Sequence, residues 1–199
     1  MTAETDRYSI LVVDDDDDTA ELLTQQLERE GHSVEIAKNG QEAILRTSDS
    51  PPDLVIMDVM MPKLDGFEAT RFLKAKFRGR FVPVMVLSAR HGDEDIQRGV
   101  RFGCDDYMTK PYRRQALVAS VRELLELGQL ETALLKRSEG AEDSGGDDLE
   151  RRAFVARVAI AKRLLGEGRA VVARSHLDRA QEIAPGDAEV VALLGQVGG

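Results

Sequence analysis

Cysteine is almost missing from this sequence. Cys104 stands alone among 199 residues, so no disulfide can close within the chain, which fits a reducing compartment. Basic charge is also in short supply. The chain carries 27 Lys and Arg against 36 Asp and Glu, a formal charge of -9, and no stretch forms the basic stripe needed to displace counterions from nucleic acid. Long apolar runs are absent too: none approaches the ~20 residues needed to span a bilayer. The segment from Met1 to Arg7 is short and polar, with no apolar signal core. These absences argue against nucleic acid and membrane as partners and lead us to expect a cytoplasmic protein. What is present is a 42% hydrophobic content, enough for a buried core, in a length that holds one ordinary domain and a smaller one.

The first part of the chain alternates short apolar runs with longer amphipathic stretches. Ile10-Leu11-Val12-Val13, Val34-Glu35-Ile36, Leu54-Val55-Ile56-Met57, Val84-Met85-Val86-Leu87 and Tyr107-Met108 read as five strands. Between them, helical spacing runs from about Thr19 to Glu30, Gln41 to Thr47, Phe67 to Phe77 and Asp93 to Phe102. A long helix follows from about Arg113 to Arg137. Gly31 and Gly103 sit where helix C-caps belong. The strands are continuous apolar runs, as expected when both faces of a parallel sheet are covered. Five strand–helix alternations predict a doubly wound α/β fold with a five-stranded parallel sheet. A parallel sheet places all its C-terminal strand ends on one edge, where ligands bind.

That edge collects chemistry. Strand one runs into Asp14 and Asp15, strand three into Asp58, strand four into Ser88, and strand five is followed by Lys110 and Pro111. Two unit charges 4 Å apart repel by about 4 kcal/mol at an effective dielectric of 20. One Lys cannot neutralise three carboxylates, so a carboxylate is protonated or a divalent cation joins them. Hard oxygen ligands with room for water suit Mg²⁺ better than Ca²⁺. The same cation, with Lys110 and Ser88, would attract a phosphoryl group, and Asp58 could serve as its nucleophilic acceptor. Asp16, Asp17 and Asp18 read instead as capping and helix-dipole residues. An EF-hand reading of Asp14, Asp16 and Asp18 fails, since Thr19 replaces the turn Gly and Gln25 the terminal Glu. His32, His91 and His176 show no ligand spacing and read as surface or loop residues.

On four motifs the sequence resembles the response-regulator receiver family, of the CheY-like superfamily. They are Ile10-Leu11-Val12-Val13-Asp14-Asp15-Asp16, Asp58-Val59-Met60-Met61-Pro62-Lys63-Leu64-Asp65-Gly66, Leu87-Ser88-Ala89, and Gly103-Cys104-Asp105-Asp106-Tyr107-Met108-Thr109-Lys110-Pro111. The resemblance spans about Ser9 to Arg137 and implies a flavodoxin-like sheet of order 2-1-3-4-5. It also implies roles. Asp58 would accept a phosphoryl group from a sensor histidine kinase or phosphotransfer protein. Asp15 would ligate Mg²⁺ with support from Asp14, Asp58 and the Met60 carbonyl. Ser88 and Lys110 would bind phosphoryl oxygens, Tyr107 would change rotamer, and the Lys110–Pro111 bond would be cis. The expected role is a phosphorylation-controlled signalling protein, not an enzyme beyond its own phosphorylation and dephosphorylation. A phosphatase using an aspartyl intermediate would want a second Asp where Met60 stands, and a flavodoxin-like cofactor carrier would not place acid after strand one. A phosphorylation-independent scaffold is a third reading, against which the complete set of site residues argues.

Residues 1–137 thus form the expected receiver, 138–148 an acidic, Gly- and Ser-rich linker, and 149–199 a helical segment. From Phe154 to Asp187 the pattern resembles a tetratricopeptide helix–turn–helix, with Ala161, Gly168, Ala173, Leu177, Ala180 and Pro185 in register. Arg157 and Leu164 stand where that repeat wants Trp and Tyr; a plain three-helix appendage is the alternative. So short a repeat cannot bury a continuous core. It should pack on the receiver, pair with a second copy, or await a downstream protein. The long helix after Arg113 offers a possible homodimer seam.

Overall fold

The computed structural model describes residues 7–48, 50–77, 79–138 and 146–197. Five strands, β1 (Ser9–Val13), β2 (Ser33–Ala37), β3 (Leu54–Met57), β4 (Val84–Ser88) and β5 (Asp106–Thr109), form one parallel sheet in the order β2-β1-β3-β4-β5. Helices α1 (Asp17–Arg29), α2 (Gly40–Arg46), α3 (Gly66–Lys76), α4 (Asp93–Arg101) and α5 (Arg114–Ser138) alternate with them. The expected fold is the observed one, because each apolar strand run is covered on both faces. Ile10, Val12, Ile56, Met85 and Leu87 meet Leu23 and Leu27 of α1 and Leu117 and Val121 of α5. Leu11, Val13, Val55, Met57 and Val84 point the other way, toward Ala43 of α2 and Ala69 and Leu73 of α3.

Local chemistry sets the helix starts. The Asp16 side chain accepts from the Thr19 amide at 2.8 Å and caps α1, with Asp17 and Asp18 in its first turn. Asn39 and Asp65 cap α2 and α3 in the same way. Gly66 is required at the start of α3: a Cβ there would lie 1.9 Å from the Asp58 carbonyl oxygen. At the far end, α5 runs on past the sheet. Its Thr132 hydroxyl accepts from the Phe81 amide at 3.0 Å, and its Gly128 lets Pro83 approach closely.

Three further helices follow: α6 (Gly146–Gly166), α7 (Ala170–Ile183) and α8 (Ala188–Val197). Residues 139–145, the centre of the expected linker, and residues 1–6 lie outside the described residues. Helix α6 begins at Gly146, earlier than the linker reading placed it, with Asp147 and Asp148 favoured in its first turn by the helix dipole. Gly168 makes the bend into α7 at φ +75°, a conformation that favours glycine. Of the fates open to a short helical tail, the chain adopts packing on its own α/β domain. Helix α6 lies along α5 and α7 against α4. Val158, Ile160, Ala161, Leu164, Val172 and Leu177 share one apolar cluster with Phe67, Val86, Cys104 and Tyr107.

Polar contacts bracket that cluster. Arg157 pairs with Glu131 (Nε to Oε1 2.7 Å) and Arg163 with Glu123 (Nε to Oε2 2.7 Å). Arg169 pairs with Asp106 and donates to the Tyr107 carbonyl at 2.9 Å. One expectation is corrected here. His176 is neither surface nor loop: it is 1% exposed, with Nε2 2.7 Å from the Asp105 carbonyl oxygen. Burial among apolar neighbours, with Arg157 nearby, pushes its pKa down to about 4, so it is neutral at pH 7. His91 is exposed and His32 half-buried.

Candidate functional site

Strand register builds the site. Val13 pairs with Met57, so the residues that follow, Asp14 and Asp58, leave the sheet side by side. Asp14 is 3% exposed and Asp58 8%. Ser88 ends β4 opposite Thr109, and its carbonyl accepts from the Lys110 amide at 2.8 Å, which brings Lys110 onto the same edge. The Lys110–Pro111 bond is cis. Lys110 Nζ donates to Asp14 Oδ2 and to Asp58 Oδ1, both at 2.9 Å. The other Asp58 oxygen accepts from the Met60 amide at 2.6 Å, and Asp14 Oδ1 from the Asp16 amide at 3.0 Å.

Burial raises the Asp58 pKa above the ordinary carboxylate value, with Asp14 adding to the effect and Lys110 opposing it. For Lys110, burial works against the ammonium, but its bonds to Asp58 and Asp14 outweigh that and hold its pKa up. The cluster therefore gathers two carboxylates on a single cation. Asp15 is exposed and lines a pocket of about 300 Å³ with Met60, Met61, Pro62, Arg90 and Arg98 at the mouth of the site.

Sequence reasoning placed Asp14, Asp58, Ser88 and Lys110 on one edge; the side chains of Asp14, Asp58 and Lys110 meet there, and Ser88 adjoins them through its carbonyl bond to the Lys110 amide. Asp15 stands at the rim instead of in the hydrogen-bonded cluster. Among the described residues no three His, Cys, Asp or Glu side chains are close enough to hold a metal by themselves. The donor set still fits a small hard cation that keeps water. Carboxylate oxygens of Asp14, Asp15 and Asp58 and the Met60 carbonyl are all hard ligands, and negative charge is in excess.

The Ser88 hydroxyl is buried and accepts from the Arg90 amide at 3.1 Å. The Tyr107 ring is turned inward, 2% exposed, tilted 25° to Phe67 at 6.5 Å, with its hydroxyl donating to the Arg90 carbonyl at 3.0 Å. Arg90 thus touches both switch candidates through its backbone. Sequence reasoning passed over it, because backbone contacts leave no signal in residue type.

Comparisons with known proteins agree with this geometry. The family model for the response regulator receiver domain matches residues 10–122. The transcriptional regulatory protein AfsQ1 of Streptomyces coelicolor is 33% identical over 150 residues, covering 71% of this chain and 65% of that protein. The response regulator MprA of Mycolicibacterium vanbaalenii is 43% identical over 116 residues, covering 58% and 49%. The alkaline phosphatase synthesis transcriptional regulatory protein PhoP of Bacillus subtilis is 38% identical over 121 residues, covering 61% and 50%. The chain thus spans between about half and two-thirds of the length of these relatives. Among solved structures, the BeF3-activated DrrB receiver domain is 29% identical at a TM-score of 0.56, covering 60% of this chain and 98% of that one. A CheY-like receiver domain protein from Methanospirillum hungatei is 26% identical at a TM-score of 0.59, covering 63% and 98%.

Proposed function

The chain belongs to the response regulator receiver family, and from that premise we propose that Asp58 accepts a phosphoryl group from a histidine kinase or phosphotransfer protein. The observation that carries this reading is Lys110 Nζ held between Asp14 and Asp58. An Asp58 oxygen attacks phosphorus, the P–N bond of a phosphohistidine breaks, and its electron pair returns to the imidazole ring. Lys110 and Ser88 take up the charge on the equatorial oxygens. Mg²⁺, held by Asp14, Asp15, Asp58 and the Met60 carbonyl, would neutralise the carboxylate excess that otherwise repels an incoming phosphoryl group.

The output we propose is protein–protein interaction, through the receiver face and the helical tail, in the cytoplasm. Among the described residues no helix is long and apolar enough to cross a membrane. Two of the relatives are named transcriptional regulatory proteins, and it is the balanced charge of the tail that favours a protein-binding output here. From residue 146 on, the tail carries eight basic and eight acidic side chains. Arg157, Arg163 and Arg169 are turned inward onto carboxylates, and of the exposed basic residues Lys162 and Arg174 pair with Glu189 and Asp178. The tetratricopeptide-like reading is favoured by one detail. Arg157 and Leu164, which stand where the repeat wants large aromatics, are both buried, and Arg157 lies 5.7 Å from the Phe81 ring centre.

Intact-mass analysis after incubation with acetyl phosphate and Mg²⁺ tests the central point. The expected result is one phosphoryl group, lost in Asp58→Ala and without Mg²⁺. Unmodified protein, in a folded sample offered several kinases as well, would favour a phosphorylation-independent scaffold.

A further inference from the structure

Asp106 of β5 is fully buried, and among the described residues the two guanidinium groups that reach it both come from the tail. Arg169, at the start of α7, pairs with it; Arg163 of α6 lies 3.9 Å away. Arg169 also donates to the Tyr107 carbonyl at 2.9 Å, and His176 meets the Asp105 carbonyl at 2.7 Å. The tail therefore grips Asp106 and Tyr107 of β5 and Asp105 just before it. Lys110, whose ammonium bridges Asp14 and Asp58, follows three residues after Tyr107. Tyr107 also lines a cavity together with Ile96 of α4 and Val172 of α7.

The grip is not saturated. Arg169 Nε and Asp106 Oδ2 are buried without hydrogen-bond partners. A small displacement of β5 can thus change how well these groups are satisfied, and an unsatisfied buried charge is costly.

We propose that Arg169 is a positioning residue for the phosphoryl switch, and that tail docking and Asp58 phosphorylation reinforce one another. The α6–α7 hairpin acts as a clamp that tightens on the phosphorylated receiver, not as a brake that phosphorylation releases. This rests on the phosphoacceptor reading of Asp58. The sign follows from Tyr107. A phosphoryl group on Asp58 would draw the Ser88 hydroxyl toward it and so widen the space that the inward Tyr107 ring already occupies. The docked tail is bonded to the backbone of Tyr107 with its ring already inward. Two events that favour the same conformer favour each other by an equal factor in both directions.

Amide hydrogen exchange across α7 in the full chain provides the test, with and without acetyl phosphate and Mg²⁺. Asp58 occupancy is read by intact mass in the same samples. Phosphorylation should slow α7 exchange by on the order of fivefold, a typical coupling between linked sites. Arg169→Gln should abolish the slowing and shorten the lifetime of the aspartyl phosphate by a similar factor, and Arg169→Lys should restore part of both. Exchange in α7 that stays constant or quickens in phosphorylated wild-type chain overturns the clamp, and that arm needs no variant to fold. Failure to label Asp58 would remove the phosphoacceptor function itself, whereas labelling with an indifferent α7 removes only this inference.

Discussion

Buried charge gathers in two regions of this molecule, and the two are neutralised differently. At the C-terminal edge of the sheet, Asp14 and Asp58 share Lys110, with exposed Asp15 beside them. Under the tail, cations and carboxylates are more evenly matched: Asp105 meets Lys74, Glu131 meets Arg157, and Arg163 and Arg169 are shared among Glu123, Asp106 and Glu167. The pKa shifts follow the same contrast. Burial raises the pKa of Asp58 in spite of Lys110. Burial would raise that of Asp105 as well, but Lys74 and the Val84 amide more than offset it and hold it below the ordinary value. Paired charge closes an interface; one-sided charge leaves a site with negative charge in excess.

The sharpest way to break the comparison is to unbalance the paired region. Arg157 is 2% exposed and its partner Glu131 is largely buried. Arg157→Ala removes one half of a buried pair and should cost about 3–5 kcal/mol of tail stability. Denaturant unfolding followed by exchange in α6 and α7 would measure it. Replacing both partners, Arg157→Met with Glu131→Leu, should bring the cost close to zero, since the stranded charge is the source of the loss. A single-variant cost under about 1 kcal/mol would mean that the pair is effectively solvated.

The two regions also differed in how far the sequence exposed them. The sheet and its edge were readable because each strand is an apolar run that stops at a polar residue, as Val13 does at Asp14 and Met57 at Asp58. A parallel sheet then brings such residues together whatever lies between them. The α1 cap was readable as well, since Asp16 acts within three residues of itself, and Asn39 and Asp65 cap α2 and α3 by the same local bond. The tail's contacts were not, because Arg169 meets Asp106 and His176 meets Asp105 from across the fold. Periodicity did hold one signal. Val172, Ala173, His176, Leu177 and Ala180 lie on one buried stripe of α7, and Ala153, Arg157, Ala161 and Leu164 on one of α6. A lone polar residue on such a stripe marks a buried partner, though not which one.

Acid should loosen the paired region next. The folded pKa of His176, about 4, lies below its ordinary 6.5, so the undocked tail binds the extra proton. Charged groups around the ring are Arg157 of its neighbour α6, Arg179 of its own helix, and Asp105 of the segment leading into β5. Stability from a depressed histidine is complete above about pH 6.5 and drains away toward pH 4, by up to about 3 kcal/mol at 1.36 kcal/mol per unit. Exchange in α7 should quicken over that window, and His176→Gln should flatten the dependence. An unchanged slope in the variant would assign the acid sensitivity to the carboxylates.

Asp58→Asn probes the one-sided region, with the smallest effect and the opposite sign. Asparagine keeps an oxygen for the Met60 amide and turns its NH2 toward Lys110, which loses one acceptor but keeps Asp14 as its counter-ion. It also removes the repulsion between Asp58 and Asp14 that contributes to raising the Asp58 pKa. The variant should lose phosphoryl acceptance and yet unfold at a slightly higher denaturant concentration, by about 1 kcal/mol, in metal-free buffer. Added Mg²⁺ should stabilise the wild type more than the variant, because only the wild type offers the full carboxylate excess to the cation. A destabilised Asp58→Asn chain in the absence of metal would show that Lys110 already balances the cluster. The distinction between the two regions would then lie in geometry and not in charge.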